Sequence, residues 1–386
     1  MRQFLALVLA LMSGVALGVV AGHYVTSSFL LPNNSFLSPF VDKTASTAKP
    51  LKKYSIENLS RFDFVTSHIT IQEEIDKGDD YVEYLFTFTT MGRQMSGQLT
   101  LPTTFALHPD QIAAPHSVII LIRGWADIET YATGSGTRPV ARELAKQGYA
   151  TLAPDFFGYG QSDPEPNNEW ETRFIKPINV IELFKSVQQY GIEDGRLDLP
   201  NQLQISIPAT NQIGFWGHSN GGQVALTTLE ILSQPIPTVL WAPVTAAFPY
   251  SILYFGNDLP DEGQEQRAWI AIFEKTYNAL DFSLTQHLDR LTGPIQLHHG
   301  SADTDAPQGW SDRFALLVEQ ENERRLSTTT PPDSATSAAQ LNTDLILAPI
   351  DLTYYQYSGA DHNLRPITHW NTALGRDIKF FSQYLE

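Results

Sequence analysis

The segment GHSNGG (217–222) lies between the apolar run QIGFW and the run QVALTTLEIL. The first run is typical of a buried strand and the second of a helix, so the segment predicts a sharp turn from strand to helix. A G-x-S-x-G turn in this context strains the serine and pushes its hydroxyl out of the sheet. Glycine at Gly217, Gly221 and Gly222 removes Cβ atoms that would collide with neighbouring backbone. We therefore predict Ser219 as a nucleophile.

Strands and helices alternate on both sides of this turn. The runs SVIILIRG, GYATLAPD, TVLWAP, PIQLHHG and DLTYYQY are typical of buried strands. Helical patterns separate or follow them at 138–146, 178–189, 221–231 and 367–384. Upstream, HITIQEEI, YVEYLFTFTT and RQMSGQLTLP predict an antiparallel meander. The pattern predicts an α/β fold whose mostly parallel sheet is covered by helices on both faces, with ligands at the carboxyl ends of the strands.

A serine needs a base and an orienting acid to act as a nucleophile at neutral pH. Asp303 follows the predicted strand PIQLHHG, and His362 follows the predicted strand DLTYYQY. Each residue could serve a turn or the surface when taken alone. Both lie in loops after strands, in the order serine, acid, histidine that a strand-turn-helix serine site requires. We predict Asp303 and His362 as the partners of Ser219.

An oxyanion hole requires backbone N–H donors directed at the developing negative charge. One donor is expected from the residue after the nucleophile, which is Asn220. The second is expected from the loop after the strand VIILI, where Gly124 allows close approach and Trp125 supplies the N–H.

These motifs together resemble the catalytic domain of the prolyl-oligopeptidase-like serine peptidases and of the dienelactone-hydrolase-type esterases, both of the α/β-hydrolase fold. The resemblance covers roughly residues 80–386 and rests on GHSNGG, LAKQGYATLAPDFFGYGQSD, HHGSADTDAP and YSGADHN. It implies an acyl-enzyme on Ser219, with Asp303 and His362 as acid and base. It assigns no catalytic role to Asp305 or Asp361, and it implies no metal or cofactor.

The chain departs from this resemblance in two ways. Proteins of these families usually have His-Gly after the strand that corresponds to VIILI, whereas this chain has Arg123-Gly124. Arg123 would bind a substrate carboxylate or, as the simpler interpretation, pair with Asp127 or Asp155. Such peptidases also usually carry a β-propeller, for which little chain precedes the meander here. A peptidase, a carboxylesterase and a non-catalytic binding protein with a hydrolase fold therefore stay open.

The amino terminus predicts contact with a membrane. An uncharged apolar run of about 19 residues, from Phe4 to Gly22, would span roughly 28 Å as a helix, close to the ~30 Å hydrocarbon core. The small residues near its end would equally suit a cleaved signal peptide. Arg2 is the cation close to the run, so the remainder of the chain should face the exterior, either anchored or secreted.

Three further segments are predicted around the catalytic domain, which we place at 54–386. Residues 23–53 have the composition of a flexible linker, and residues 326–341 that of a low-complexity, disordered loop. Residues 245–292 are too long and too aromatic for a simple connection. We predict a helical cap there, whose Trp269 and Phe273 cover the serine and bind the acyl group.

Composition excludes several classes of function. The formal net charge is −17, with no long basic stripe, so nucleic acid is not an expected partner. The chain contains no cysteine, which excludes thiolate catalysis and disulfides. His298 and His299 are adjacent on a predicted strand and should point to opposite faces, which argues against a shared metal ion. The aromatic residues Phe156, Phe157 and Tyr159 are expected to pack in the core rather than to line a pocket. The expected substrate is a small ester or a short peptide.

Overall fold

The computed structural model describes residues 49–109, 112–115, 117–195, 204–256, 259–328 and 348–385. Among these ranges, no helix is long and apolar enough to cross a bilayer. The predicted membrane segment, 4–22, lies outside the described residues. So do most of the predicted linker and most of the predicted loop at 326–341.

The described strands form a single sheet with the order β11-β10-β9-β8-β4-β5-β3-β2-β1-β6-β7. Their bounds are β1 Ile69–Lys77, β2 Tyr81–Thr90, β3 Arg93–Pro102, β4 Val118–Ile122, β5 Ala150–Pro154, β6 Ile192–Asp194, β7 Ser206–Ile207, β8 Ile213–His218, β9 Thr238–Trp241, β10 Ile295–Gly300 and β11 Leu352–Tyr357. The six strands from β5 to β11 along this order pair in parallel, and β1, β2 and β3 form an antiparallel meander beside them. Both features confirm the prediction.

The described helices are α1 Ile56–Leu59, α2 Thr103–Leu107, α3 Arg138–Lys146, α4 Glu169–Tyr190, α5 Asn220–Leu232, α6 Tyr250–Gly256, α7 Gln264–Thr276, α8 Gln308–Thr328 and α9 Ile367–Leu385. Helices α3 and α9 contribute Leu144 and Phe381 to a core on one face of the sheet. Helices α4, α5 and α8 contribute Ile181, Leu229 and Phe314 to a larger core on the other face. The sheet is thus covered on both faces, as its nearly continuous apolar strands require.

Helix α4 begins nine residues before the predicted start at 178. Its first turn is capped by Asn168, whose side chain accepts hydrogen bonds from the Trp170 and Glu171 N–H groups. Proline at Pro177 lies inside the helix and masked this longer element in the sequence pattern, because proline usually marks a boundary.

The predicted end of the linker and the predicted start of the disordered loop are both wrong. The linker was expected to reach residue 53, but Pro50–Tyr54 forms a 3₁₀-helix in which Leu51 is buried, and the compact unit begins at Leu51. The disordered loop was expected from residue 326, but α8 continues to Thr328. The last turns of α8 are secured by buried Arg325, which donates to the carbonyls of Leu288 and Leu291.

Candidate active site

Ser219 lies in the turn between β8 and α5, at the carboxyl end of the parallel sheet. Its φ of 57° and ψ of −124° are unfavourable for a residue with a side chain, so the surrounding contacts must impose them. The Ser219 N–H donates to Trp241 O at 2.9 Å, and the Ser219 carbonyl accepts from the N–H groups of Gly222 and Val244. A Cβ added at Gly221 would lie 1.9 Å from Ile122 O, so glycine is required there. These contacts form the strained turn that the sequence predicts.

Asp303 follows β10 at the same edge of the sheet, and its carboxylate accepts four hydrogen bonds. The backbone N–H groups of Asp305 and Ala306 donate to Oδ1, each at 2.9 Å. His362 Nδ1 lies 2.8 Å from Oδ2, and His299 Nε2 lies 3.1 Å from the same oxygen. Burial would raise the pKa of Asp303, but the hydrogen bonds from His299, His362 and Ala306 outweigh it and hold that pKa well below the usual range. The carboxylate is therefore ionised wherever the protein is folded near neutral pH.

His299 is a contact of Asp303 that the sequence did not identify. The ring is fully buried, and its Nε2 also lies 2.8 Å from the carbonyl oxygen of Ala306. Both neighbours of Nε2 accept hydrogen bonds, so Nε2 carries a proton. Nδ1 lies 2.7 Å from Ser311 Oγ. His299 thus donates to the same carboxylate oxygen that His362 contacts.

His298, the neighbour of His299 on β10, points to the other face of the sheet. It contacts the Tyr357 hydroxyl at 2.7 Å and the Asp377 carboxylate at 3.0 Å. The two histidines therefore share no ligand site, as the alternation along a strand predicts. Within the described part of the chain, no group of three or more histidine and acidic side chains could hold a metal ion.

His362 is held by its backbone as well as by its ring. His218 Nε2 lies 3.0 Å from the His362 carbonyl oxygen, and the two rings are 4.7 Å apart between centroids. Burial, together with nearby His362, lowers the pKa of His218 to about 4. His218 is consequently neutral near pH 7 and donates its Nε2–H to the carbonyl. The residue before the nucleophile therefore positions the histidine loop.

Ser219 and His362 are brought to one place without a direct hydrogen bond of 3.5 Å or less between Ser219 Oγ and the His362 ring. Ser219 directly follows His218, which contacts His362. Hydrogen bonds of this type are often long in a free enzyme and shorten when substrate binds. Asp303 therefore contacts His362 directly, whereas Ser219 is connected to His362 through His218.

The two predicted oxyanion donors border Ser219. Asn220 is the first residue of α5, where backbone N–H groups have no partner within the helix. A Cβ added at Gly124 would lie 2.9 Å from Ser219 Cβ and 3.4 Å from Ser219 Oγ, so the loop after β4 passes directly beside Ser219. Trp125 follows in this loop, and its side chain is 81% exposed.

Arg123 does not form the ion pair with Asp127 or Asp155 that the sequence suggested. It is buried, and its guanidinium donates to two backbone carbonyls, Gly124 O at 2.9 Å and Asp155 O at 2.7 Å. The rings of Tyr159 and Tyr131 enclose it, with centroids 4.0 and 4.7 Å away. The expectation of an ion pair with a nearby carboxylate is therefore wrong.

The bond from Arg123 to Gly124 O has a consequence for the oxyanion loop. The C=O and N–H groups of a trans peptide point in opposite directions. When Arg123 holds the Gly124 carbonyl, the N–H of Trp125 in the same peptide unit faces away from Arg123. Arg123 therefore orients the peptide that the sequence predicts as a donor.

The predicted cap, residues 245–292, is helical as expected, but its two helices have different surroundings. In α6, the Tyr254 hydroxyl donates to Thr304 O at 2.7 Å, so this helix reaches the loop of Asp303. In α7, the Trp269 ring stacks on Trp170 of α4 with centroids 3.4 Å apart. Phe273 is buried in the same cluster.

The prediction that Trp269 and Phe273 cover the serine is consequently wrong. Their aromatic faces are engaged with the rings that α4 contributes to the main core. Phe156 and Phe157 are also buried in that core, which agrees with the packing role expected for them. The cap residues that border the catalytic loops are those of α6, where Tyr254 and Phe255 contact Trp310.

Comparison with known proteins agrees with this architecture. A family model described as the alpha/beta hydrolase fold matches residues 117–271. Acetyl xylan esterase 1 from Thermoanaerobacterium sp. is similar in structure, with a TM-score of 0.55 and 13% identity over 88% of this chain and 94% of the esterase. A puromycin-hydrolyzing peptidase of Mycobacterium tuberculosis has a TM-score of 0.50 and 14% identity over 76% of this chain and 38% of the peptidase. No curated protein matches the chain.

These identities establish the fold and nothing finer. The chain has the α/β-hydrolase fold, with a mostly parallel central sheet, helices on both faces and an inserted cap. It spans less than two fifths of the length of the mycobacterial peptidase, so that similarity concerns one part of the larger protein. The predicted fold class is confirmed.

Proposed function

We propose that this protein is a serine hydrolase that cleaves an ester or amide bond through an acyl-enzyme on Ser219. His362 takes the serine proton as the nucleophile attacks the carbonyl, and then delivers it to the leaving group. Asp303 holds the imidazole and stabilises its cationic form. Water repeats the cycle and releases the acid. The observation that carries the proposal is the Asp303–His362 pair, 2.8 Å apart, beside a serine with φ of 57°.

The proposed oxyanion hole consists of the N–H groups of Asn220 and Trp125. A negative oxygen next to Ser219 would lie at the amino terminus of α5, where unpaired N–H groups and the helix dipole both favour an anion. Removal of one such donor typically costs about 10²–10³-fold in kcat. Because both donors belong to the backbone, Arg123 in place of the usual histidine leaves them intact.

A fluorophosphonate probe tests the proposal, because it reacts only with an activated serine. Wild-type protein should be labelled, with the adduct located on Ser219 by mass spectrometry. Ser219→Ala should give no adduct, and His362→Ala should give very slow labelling. A wild-type protein that stays unlabelled while folded would instead support a non-catalytic binding protein.

Esterase and peptidase activities differ in leaving group and are separated by comparing 4-nitrophenyl acetate with short peptidyl 4-nitroanilides. The similarity to the acetyl xylan esterase extends over almost all of that enzyme, whereas the similarity to the peptidase covers less than half of it. This difference in coverage supports a small ester as the better substrate. A higher kcat/KM for the anilides would support the peptidase.

We also propose that residues 4–22 direct the enzyme to a membrane or across it, with the catalytic domain outside. The support is their apolar length and the position of Arg2. Protease added to intact cells should digest the domain. Full-length protein in the soluble cytoplasmic fraction would contradict both the anchored and the secreted form.

A further inference from the structure

Two cations near the beginning of α4, Arg173 and Lys176, form no close ion pair in the part of the chain that the structure describes. They are three residues apart and so lie on one side of the helix. Both are only partly exposed, yet neither forms an ion pair within 4.0 Å or a hydrogen bond with a described residue. The nearby carboxylates, Glu165 and Glu169, act on them only at longer range.

Lys176 is connected to the candidate active site through Phe156. Lys176 Nζ is 5.8 Å from the ring centroid of Phe156, and the Arg123 guanidinium is 5.6 Å from the same centroid. Phe156 follows β5 at the carboxyl edge of the sheet. Arg123 precedes Gly124, which borders Ser219. A path of direct neighbours therefore leads from Lys176 to the nucleophile.

Within the described ranges, Arg173 and Lys176 lack the hydrogen-bonded partners that several other cations of this molecule have. Arg142 pairs with Glu83 at 2.6 Å, Arg325 pairs with Glu321 at 2.9 Å, and buried Arg123 donates to two backbone carbonyls. The whole chain carries an excess of negative charge, so acidic partners are abundant. A cation withdrawn from water without a partner destabilises the folded state. Such arrangements concentrate at binding sites, where a ligand supplies the missing charge.

The pKa values of Arg173 and Lys176 are lowered for the same reason, because burial disfavours their charged forms. Burial lowers the pKa of Arg173 to about 10. Burial, together with the neighbouring charges of Arg123 and Arg173, lowers the pKa of Lys176 to about 8. An anion bound between the two side chains would offset both effects.

We propose that Arg173 and Lys176 form an anion subsite that binds a carboxylate of the substrate, so that the enzyme prefers acidic esters or amides. This inference rests on the proposed serine hydrolase function. A planar carboxylate suits the arginine fork, and the lysine adds a point charge. Arg123 is buried between the rings of Tyr131 and Tyr159, and its charge adds to the positive potential on this side of Ser219.

The test compares mono-4-nitrophenyl adipate with 4-nitrophenyl hexanoate, which differ in one terminal carboxylate. The long adipate chain limits attack by its own carboxylate. A second pair, 4-acetoxybenzoate and phenyl acetate, places the carboxylate on the leaving group instead. Wild-type enzyme should favour the acidic member of at least one pair by about tenfold or more in kcat/KM.

Arg173→Met and Lys176→Met keep most of the aliphatic stem and remove the charge. Each should raise KM for the favoured acidic ester by about tenfold, with the neutral ester changed less than about twofold. Lys185→Met is the matched control, because Lys185 lies on the same helix over Phe64 and should leave the preference unchanged. Melting temperatures of the two subsite variants should equal or exceed that of wild type, since an uncompensated charge is removed.

Lys176→Arg provides a further check. Above about pH 8 the wild-type preference should decline as Lys176 loses its proton, whereas an arginine at this position should retain the preference at pH 9. Equal kcat/KM for acidic and neutral esters in wild type, or a preference that survives both methionine substitutions, would overturn the subsite. Failure of the proposed function is distinguishable, because the neutral esters would then not be hydrolysed and Ser219 would not be labelled.

Discussion

The carboxyl edge of the sheet and the cap are held in place by different kinds of contact. At the edge, four donors surround the Asp303 carboxylate, and His218 holds the backbone of the histidine loop. In the cap, α7 is attached to α4 by stacked and tilted aromatic rings around Phe273. Hydrogen bonds define the position of a group closely, whereas aromatic packing contributes mainly stability. Substitutions in the two regions should therefore have separable effects.

The largest effect should follow from substitutions in the Ser219, His362 and Asp303 set. Loss of the serine or the histidine should reduce kcat by roughly 10⁶-fold, and Asp303→Asn by about 10⁴-fold, because the amide favours the wrong tautomer of His362. Asp305→Asn is the matched control, since its exposed side chain makes only a 3.5 Å contact with Thr304. Steady-state kinetics on folded protein measures these changes. If Asp305→Asn were the more damaging of the two, the assignment of the acid would be wrong.

The next largest effect is expected on the free energy of unfolding, from a substitution in the cap that should leave catalysis unchanged. Phe273→Ala should lower the free energy of unfolding by about 3–5 kcal/mol, because a large buried ring is replaced by a cavity. Its kcat/KM profile across 4-nitrophenyl esters of increasing chain length should keep the wild-type shape. Phe255→Ala is the control, since that ring is exposed and its loss should barely change the melting temperature. A changed chain-length profile at an unchanged melting temperature would show that Phe273 contacts substrate after all.

A smaller effect tests the hydrogen bonds at the edge. His299→Leu removes one of the two side-chain donors from Asp303, so the other side-chain donor, His362, should be bound more strongly in its cationic form. The pH at which kcat/KM falls to half on the acidic side should therefore move upward, with a loss of roughly tenfold or less at the optimum. Ser311→Ala, which removes only the contact to His299 Nδ1, should give a weaker shift in the same direction. A profile that only decreases in height, without moving, would assign His299 to packing alone.

The lowered pKa of Asp303 makes the stability of the folded protein depend on pH in a definite direction. Its pKa is lower in the folded protein than in an unfolded chain, where aspartate titrates near about 3.9. The corresponding stability is present above that value and is lost as the pH falls below it. His299→Leu should therefore also reduce the steepness of acid denaturation.

The sequence predicted the arrangement at the carboxyl edge of the sheet better than the contacts of the cap. Asp303 and His362 were predictable because parallel strands deliver the loops that follow them to one edge of the sheet. The strained turn at Ser219 was predictable because its glycines have a steric cause. Neither inference required knowledge of which distant side chains touch.

Contacts between distant segments were not predictable in this way. Alternation along β10 showed that His299 faces away from His298, but not that it meets Asp303. The aromatic content of the cap showed that rings would be buried, but not that α4 supplies their partners. The contacts of Arg123 were not predictable because its guanidinium donates to two backbone carbonyls, which have no sequence signature.

Substitution of Glu230 should leave catalysis unchanged and alter the pH dependence of the free energy of unfolding. This residue of α5 is buried like Asp303, but neither carboxyl oxygen has a hydrogen-bond partner among the described residues. Burial raises its pKa well above the usual range, and nearby Asp289 adds to the shift. The two buried carboxyl groups therefore differ in the donors around them, and their pKa values shift in opposite directions.

Glu230 should make the folded protein less stable as the pH rises. Above about pH 4.3 the carboxyl ionises in the unfolded chain but stays protonated in the folded one, so the folded state binds more protons. Stability then falls by up to about 1.4 kcal/mol per pH unit until the folded carboxyl ionises. Glu230→Gln removes this titration and keeps the shape of the side chain. Urea unfolding at pH 5 and pH 8 should show a larger advantage of the variant over wild type at pH 8, with kcat/KM unchanged. An advantage independent of pH would mean that Glu230 is ionised in the folded protein, and that some other group compensates its charge.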